Sequence, residues 1–442
     1  MSAPLQIALA IGSVVVLLGL MALVRRLAGA WGLGAEVQRK LVHIGTGLFA
    51  LTLPWLFPDQ WPVYMLIAIT LVVMLVLRVP AIAKAGLGAA LHSVERRSYG
   101  DMLLAIAVGL CLFLAEGRLH LYVLPIAVLT LADAAAALAG SAFGKRLFRV
   151  EDGMKSIEGC AVFFAVTLAI SILCLTLMTP LAGANIVVLS LMVAGFGTLV
   201  EAASWRGFDN LFLPLGLLIF LSVHGDDSLP GLLVLASVFA ATLVLFRLFS
   251  PRLGLGVHAS RVYVTTVFLL LAVTAFQNAL FPILALAAHI WSQRENPCRG
   301  RFSELDIVAA LVLISLFWLT LGNATGANAV SYYGVVAMGL TLGLAATPLE
   351  RRSSLRQLAG VAILAGAMCL IRAGVVAANP PEANWNGAIW WVVWVTLLLA
   401  SLPVMLWPRC FDQDRVARIS GLAMAAPFLS YLFATEFLGL MA

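Results

Sequence analysis

Charge is scarce in this chain. Only 11% of its 442 residues are Asp, Glu, Lys or Arg, and 62% are apolar. A soluble protein carries about 25% charged residues, so the shortage excludes a water-soluble domain and leaves a polytopic membrane protein. Lysine is rarer still. Lys40, Lys84, Lys145 and Lys155 are the whole set, and arginine supplies the rest of the 27 basic residues, a bias that fits a GC-rich bacterial genome. Cysteine in metal-ligand spacing is missing. Cys111, Cys160, Cys174, Cys298, Cys369 and Cys410 are scattered and read as small core residues. The Gly-x-x-x-x-Gly-Lys-Ser/Thr phosphate loop is absent. No internal repeat is visible, although transporters commonly carry one. The first apolar run, from Leu5 to Val24, lacks a basic leader and an Ala-x-Ala cleavage site, so a retained helix is expected.

What the chain does have is apolar runs of spanning length. A helix needs about 20 apolar residues to cross the hydrocarbon core. About sixteen runs, in a range of 14–16, can be marked from 5–24 to 419–440, so the expected fold is an all-α membrane protein. If the runs alternate, every second loop collects the basic residues. Arg25, Arg26, Arg39 and Lys40 form the first set, then Lys84, Arg96 and Arg97, then Lys145, Arg146, Arg149 and Lys155. Arg206, Arg247, Arg252, Arg294, Arg299, Arg351, Arg409 and Arg418 continue the pattern. The positive-inside rule then puts these loops in the cytoplasm and both termini outside. The net charge of +6 is accounted for by these loops, and no nucleic acid is expected as a partner.

Five polar constellations interrupt the apolar pattern. Arg39-Lys40-Leu-Val-His43-Ile-Gly-Thr-Gly47 stands at the mouth of the second run. Residues three or four apart share a helix face, so Arg39, Lys40 and His43 are expected to converge one turn deep. A basic anchor with a Gly45/Gly47 packing face is the plainer alternative. Glu95-Arg96-Arg97-Ser98-Tyr99-Gly100-Asp101 enters the fourth run, where Asp101 also suits a helix N-terminus. Asp133 lies inside an apolar helix, about two and a half turns from the next basic loop at ~1.5 Å per residue. Burying a carboxylate in hydrocarbon is costly, so such residues are functional by default. Ala132, Ala136, Gly140 and Gly144 recur every four residues on that helix, as close packing requires. The alternative is a packing helix whose Asp133 an arginine neutralises.

The fourth constellation is Lys155-Ser156-Ile-Glu158-Gly159, opening the sixth run after the basic loop Gly144-Lys145-Arg146. Glycines let backbone N–H groups approach an anion, and a helix N-terminus beside a lysine is a phosphate site. Glu158 stands one position too early for a capping box. The fifth is Glu201 with Gly207-Phe-Asp209-Asn210 and Pro214. Asp209 or Asn210 reads equally as an N-cap, yet two carboxylates beside phosphate-binding cations suit Mg²⁺. All five constellations lie on one expected membrane face and within residues 1–255. The loop from Ser250 to Ser260 reads as a junction, after which 256–442 is a second transmembrane domain without clustered motifs.

Arg39-Lys-x-x-His43, Asp133-Ala-x-Ala-x-x-x-Gly140-x-x-x-Gly144-Lys, Lys155-Ser-x-Glu-Gly159 and Glu201 with Gly207-x-Asp-Asn210 resemble the polyprenol kinase family. That family includes dolichol kinase, phytol kinase and the CTP-dependent diacylglycerol kinase of yeasts. The resemblance spans roughly residues 35–225, and Ala132 stands where family members often have Gly or Ser. It implies a cytoplasm-facing transfer of the γ-phosphoryl group of CTP to a membrane lipid alcohol. By the resemblance, Asp133, Lys155, Ser156, Glu158 and Gly159 belong to the nucleotide site, joined by Arg39, Lys40 and His43. The expected catalytic set is therefore Asp133, Lys155, Glu158 and His43. Lys40, Arg39, Gly140, Gly144, Lys145, Ser156, Gly159 and Asn210 are expected to bind the nucleotide, and Asp133, Glu201 and Asp209 the Mg²⁺. The expected location is a bacterial inner membrane. Two rivals remain at this point: a phosphatidate cytidylyltransferase, whose combined Lys-Arg and Lys-Asp run and His-Gly-Gly segment are not found, and a lipid transporter or flippase, with which Arg78 and Arg372 are compatible.

Overall fold

The computed structural model describes residues 1–77, 100–150, 153–203, 207–253, 256–299, 303–349 and 354–439. Its residues divide into two compact units, Met1–Ala241 and Thr242–Ala442. The division falls inside a helix, earlier than the junction expected at residue 255, and residues 254–255 lie outside the described set.

Unit 1 begins with α1 (Ala3–Trp31), α2 (Ala35–Leu56) and α3 (Trp61–Leu77). It continues with α4 (Gly100–Leu114), α5 (Leu119–Phe143), α6 (Ile157–Met178), α7 (Gly183–Ala203) and α8 (Asp209–His224). Helix α9 (Leu229–Leu253) leads into unit 2. There follow α10 (Val257–Val273), α11 (Phe276–Glu295), α12 (Ser303–Thr325), α13 (Val330–Leu349), α14 (Ser354–Ala378), α15 (Trp390–Leu406) and α16 (Arg415–Gly439). Each apolar run marked in the sequence overlaps one of these helices. Among the described residues, nine helices are long and apolar enough to cross a membrane: α1, α5, α6, α7, α9, α12, α13, α14 and α16. Helices α3, α4, α8, α10 and α15 are apolar but shorter. The chain is a helical membrane protein.

One element departs from the all-α expectation. Strands β1 (Leu147–Val150) and β2 (Gly153–Ser156) form an antiparallel hairpin between α5 and α6. Leu147 pairs with Ser156 and Val150 with Gly153, whose φ of +143° only glycine adopts readily. Four-residue strands are too short to show a period-two pattern, so the segment reads as a plain loop in the sequence.

In unit 1, α5 is the central helix, with most of its length buried against α2, α6 and α8. It is not uniform. Pro125 removes a backbone donor, and Val128–Ala132 form a π turn immediately before Asp133. In unit 2, α13 takes that place, buried along nearly its whole length among α11, α14, α15 and α16. Its Gly339 and Gly343 leave room for Thr396, Ala400, Ile419 and Ala423 of α15 and α16.

Candidate active site

Helix α2 and the π turn of α5 bring the first charges together. Lys40 Nζ donates to both carboxylate oxygens of Asp133, at 2.7 Å each, and both side chains are buried. His43, one turn further along α2, has Nε2 at 3.0 Å from the Leu129 carbonyl and 3.4 Å from Asp133 Oδ2. A carbonyl only accepts, so Nε2 carries a proton in this contact. A π turn disturbs the regular ladder of helix hydrogen bonds, and Leu129 lies within it. The expected convergence on α2 is thus met by Lys40 and His43, which are three residues apart. Arg39 makes no hydrogen bond to Asp133, although its charge still reaches Asp133 and Asp209. Its guanidinium makes a half-exposed pair with Glu36, at 2.6 Å. Burial pushes the Glu36 carboxyl up, but the Arg39 hydrogen bond and charge outweigh it and hold the group below its ordinary value. Asp133 is neutralised by a lysine, not by the arginine that the plain reading of the sequence required.

The second set comes from β2, α7 and the start of α8. Lys155 Nζ donates to Glu201 Oε1 at 2.5 Å and also to the Glu201 backbone carbonyl. Burial alone would lower the Lys155 pKa. The Glu201 and then the Asp209 carboxylates outweigh it, so the ammonium is held above its ordinary value of 10.5. Glu201 is buried in the last turn of α7, and its Oε2 has no hydrogen-bond partner among the described residues. Asp209 and the buried Asn210 begin α8.

The two sets meet. Asp133, Glu201 and Asp209 each place a carboxylate oxygen within 4.8 Å of the other two. Three carboxylates this close repel one another in a low-dielectric interior unless cations lie between them. Lys40 and Lys155 supply two. Hard oxygen donors, together with the orphaned Glu201 Oε2, fit a divalent cation such as Mg²⁺.

The small residues of α5 serve the close packing that their four-residue spacing implied. A Cβ on Gly140 would lie 2.9 Å from Ser156 Oγ, and one on Gly159 2.9 Å from the Ala136 carbonyl. Gly144 is closed by the Ser156 side chain, 2.8 Å from its Cβ position. These glycines let α5, β2 and α6 touch, and they present no open backbone cradle. Ser156 is the N-cap of α6, accepting from the Gly159 N–H at 3.0 Å. Glu158 stands apart from the acidic cluster. Its carboxylate accepts from the backbone N–H groups of Lys145 (3.1 Å) and Arg146 (3.2 Å), which ties the start of the hairpin to α6. Those two basic side chains are exposed, as is Arg149. Arg78, Lys84, Glu95 to Tyr99, Arg206, Arg301, Arg351 and Arg352 lie outside the described residues, and Asp101 falls in the first turn of α4.

Sequence reasoning missed the π turn and the pairing of each lysine with a particular acid. Pro125 inside α5 was a signal for the first. The second had a weaker one: two of only four lysines fall next to motif residues.

The chain is 30% identical over 221 residues to the phytol kinase of Synechocystis sp., a match that covers 49% of this chain and 91% of that protein. Identity at that level over nearly a whole relative establishes kinship: the chain belongs to the phytol and polyprenol kinase family. Its chemistry is therefore, at the coarse level, that of a membrane kinase. No family model matches the chain. No solved structure matches it either.

Proposed function

We propose that this chain transfers the γ-phosphoryl group of CTP to the hydroxyl of a membrane lipid alcohol of the phytol, polyprenol or dolichol kind. In this reading all sixteen helices cross a bacterial inner membrane, both termini lie outside, and the basic loops and the site face the cytoplasm. The observation that carries the proposal is the convergence of Asp133, Glu201 and Asp209 with Lys40 and Lys155.

Phosphoryl transfer asks a protein mainly for positioning and for charge placed where it develops. Asp133, Glu201 and Asp209 are the residues that would hold Mg²⁺, which when bound neutralises phosphate oxygens. Lys155 stays charged throughout the neutral range and is placed to leave Glu201 for a phosphate oxygen. Lys40 keeps Asp133 ionised below the membrane surface. His43 orients and accepts the proton of the lipid hydroxyl through Nδ1, since its Nε2–H is committed to Leu129. Glu158, whose carboxylate serves the hairpin, is a positioning residue. Exposed Lys145 and Arg146 attract the nucleotide.

The test is purified full-length protein with Mg²⁺ and labelled CTP, offered phytol, farnesol, long polyprenols and diacylglycerol. Label from γ-labelled CTP entering one alcohol is the expected result. Label from α-labelled CTP entering the lipid identifies a cytidylyltransferase and overturns the proposal. No transfer to any alcohol, with lipid moved between leaflets of a vesicle, identifies a transporter.

A further inference from the structure

Unit 2 contains a buried charge that the kinase reading does not use. Arg372 sits in α14, almost wholly inaccessible to solvent. Its acceptors are all neutral. Nε donates to the Ala388 carbonyl at 3.3 Å, and Nη2 donates to the same carbonyl and to Ser331 Oγ, at 3.0 Å each. Nη1 donates to the Ser331 carbonyl at 3.4 Å. A guanidinium has five N–H bonds, so one on Nη1 has no acceptor among the described residues. None of them offers Arg372 a carboxylate within ion-pair distance either. Burying an unpaired charge is costly, and neutral acceptors offset only part of that cost.

The guanidinium lines a small cleft, about 230 Å³ with its open space included, that has room for one water-sized oxygen. Asn278 lines the same cleft. Its Oδ1 accepts from Asn379, while its Nδ2 group has no partner among the described residues. Ser331 and Asn379 add polar lining, and Phe281, Val330, Val375 and Val376 form the apolar part of the wall. Cationic and amide donors on one cleft make the reverse of a metal site: an oxygen acceptor satisfies both Nη1 and Asn278, and one with negative charge also meets the guanidinium charge that no described carboxylate pairs. We infer that this cleft binds an oxyanion, the carboxylate or phosphate head of an amphiphile, with one oxygen between Arg372 Nη1 and Asn278 Nδ2. The site is independent of the chemistry assigned to unit 1.

Binding to the full-length protein in neutral detergent tests it, by calorimetry with dodecyl phosphate, dodecanoate, dodecanol and inorganic phosphate. Dodecyl phosphate or dodecanoate should bind, dodecanol should not, and Arg372→Gln should weaken the anion by roughly tenfold or more, the scale of one lost charged hydrogen bond. Gly334→Ala is the second variant. A Cβ there meets Phe281 at 3.7 Å and Arg372 Nη1 at 3.9 Å, ordinary contacts, so the protein folds while the methyl covers the guanidinium. Inorganic phosphate binding as well as dodecyl phosphate, and lost in the same variants, makes the ligand a free anion; amphiphile binding alone makes it a lipid. Equal affinity for dodecanol and dodecyl phosphate, or anion binding unchanged in Gly334→Ala and in a folded Arg372→Gln, overturns the inference.

Discussion

In unit 1, Lys40 meets both oxygens of Asp133, and Lys155 meets Glu201, each within 2.7 Å. In unit 2, Arg372 is as deeply buried but is met by Ser331 and Ala388, which carry no net charge. The chemistry of the cations fits the contrast. Lysine is a compact point charge that one carboxylate can satisfy, whereas the arginine fork spreads its charge over several acceptors in a plane. Unit 1 has an excess of acid close to its lysines, and an orphaned Glu201 oxygen among them. Unit 2 has an excess of donor beside its arginine. A site short of a cation and a site short of an anion therefore sit in the same chain, and each can be tested by removing the charge that defines it.

The largest effect is expected for Asp133→Asn. The carboxamide still accepts from Lys40 through Oδ1, so membrane insertion and folding should survive, while the charge that a metal requires is gone. Turnover with γ-labelled CTP should fall roughly 100- to 1,000-fold, the range seen when one transition-state charge partner is removed. Near-normal turnover in the variant would make Asp133 a packing residue and dissolve the contrast between the units.

Lys155→Ala should follow. Loss of one charged hydrogen bond costs about 1.5–3 kcal/mol, or tenfold and more in CTP efficiency, with the lipid KM unmoved. A change confined to the lipid term would move Lys155 to the acceptor side. The pH profile sharpens the point. The raised Lys155 value means that its contribution is fully present below its ordinary 10.5 and is lost only as pH rises through the higher folded value. Dependence on CTP should therefore show no lysine limb between pH 7 and that value; a limb inside that interval would contradict the pairing with Glu201.

Glu158→Gln separates positioning from catalysis. Glutamine keeps one acceptor for the Lys145 and Arg146 N–H groups, so thermal stability should drop slightly and turnover by less than tenfold. A loss as deep as that of Asp133→Asn would restore Glu158 as the base. Arg39→Ala should do least. The pair with Glu36 is half exposed, and such pairs contribute about 0.2–1 kcal/mol. Thermal unfolding and CTP efficiency should both stay close to those of the parent, and a tenfold loss of efficiency would bring Arg39 back to the nucleotide.

The residues of the acidic cluster were legible one by one, because a carboxylate in an apolar run is conspicuous against its neighbours. Gly140, Gly144 and Gly159 were legible as important, with helix packing and nucleotide binding both open to them. A glycine that admits a phosphate and a glycine that admits another helix leave the same mark in a sequence. The partners of Glu158 were not legible: they are backbone N–H groups of a hairpin that no side-chain pattern announced.

Amino-acid order by itself determined that the chain is a membrane protein, where its helices run and which acids are out of place. Those properties follow from local composition, since each helix satisfies its own backbone bonds in lipid. Only the tertiary structure decided that Lys40 belongs to Asp133, 93 residues away, and Lys155 to Glu201, 46 away. It also decided that Arg39 pairs with Glu36 and that no acid among the described residues pairs with Arg372. A charge finds its partner through the packing of helices, and no periodicity within one helix records which other helix lies against it.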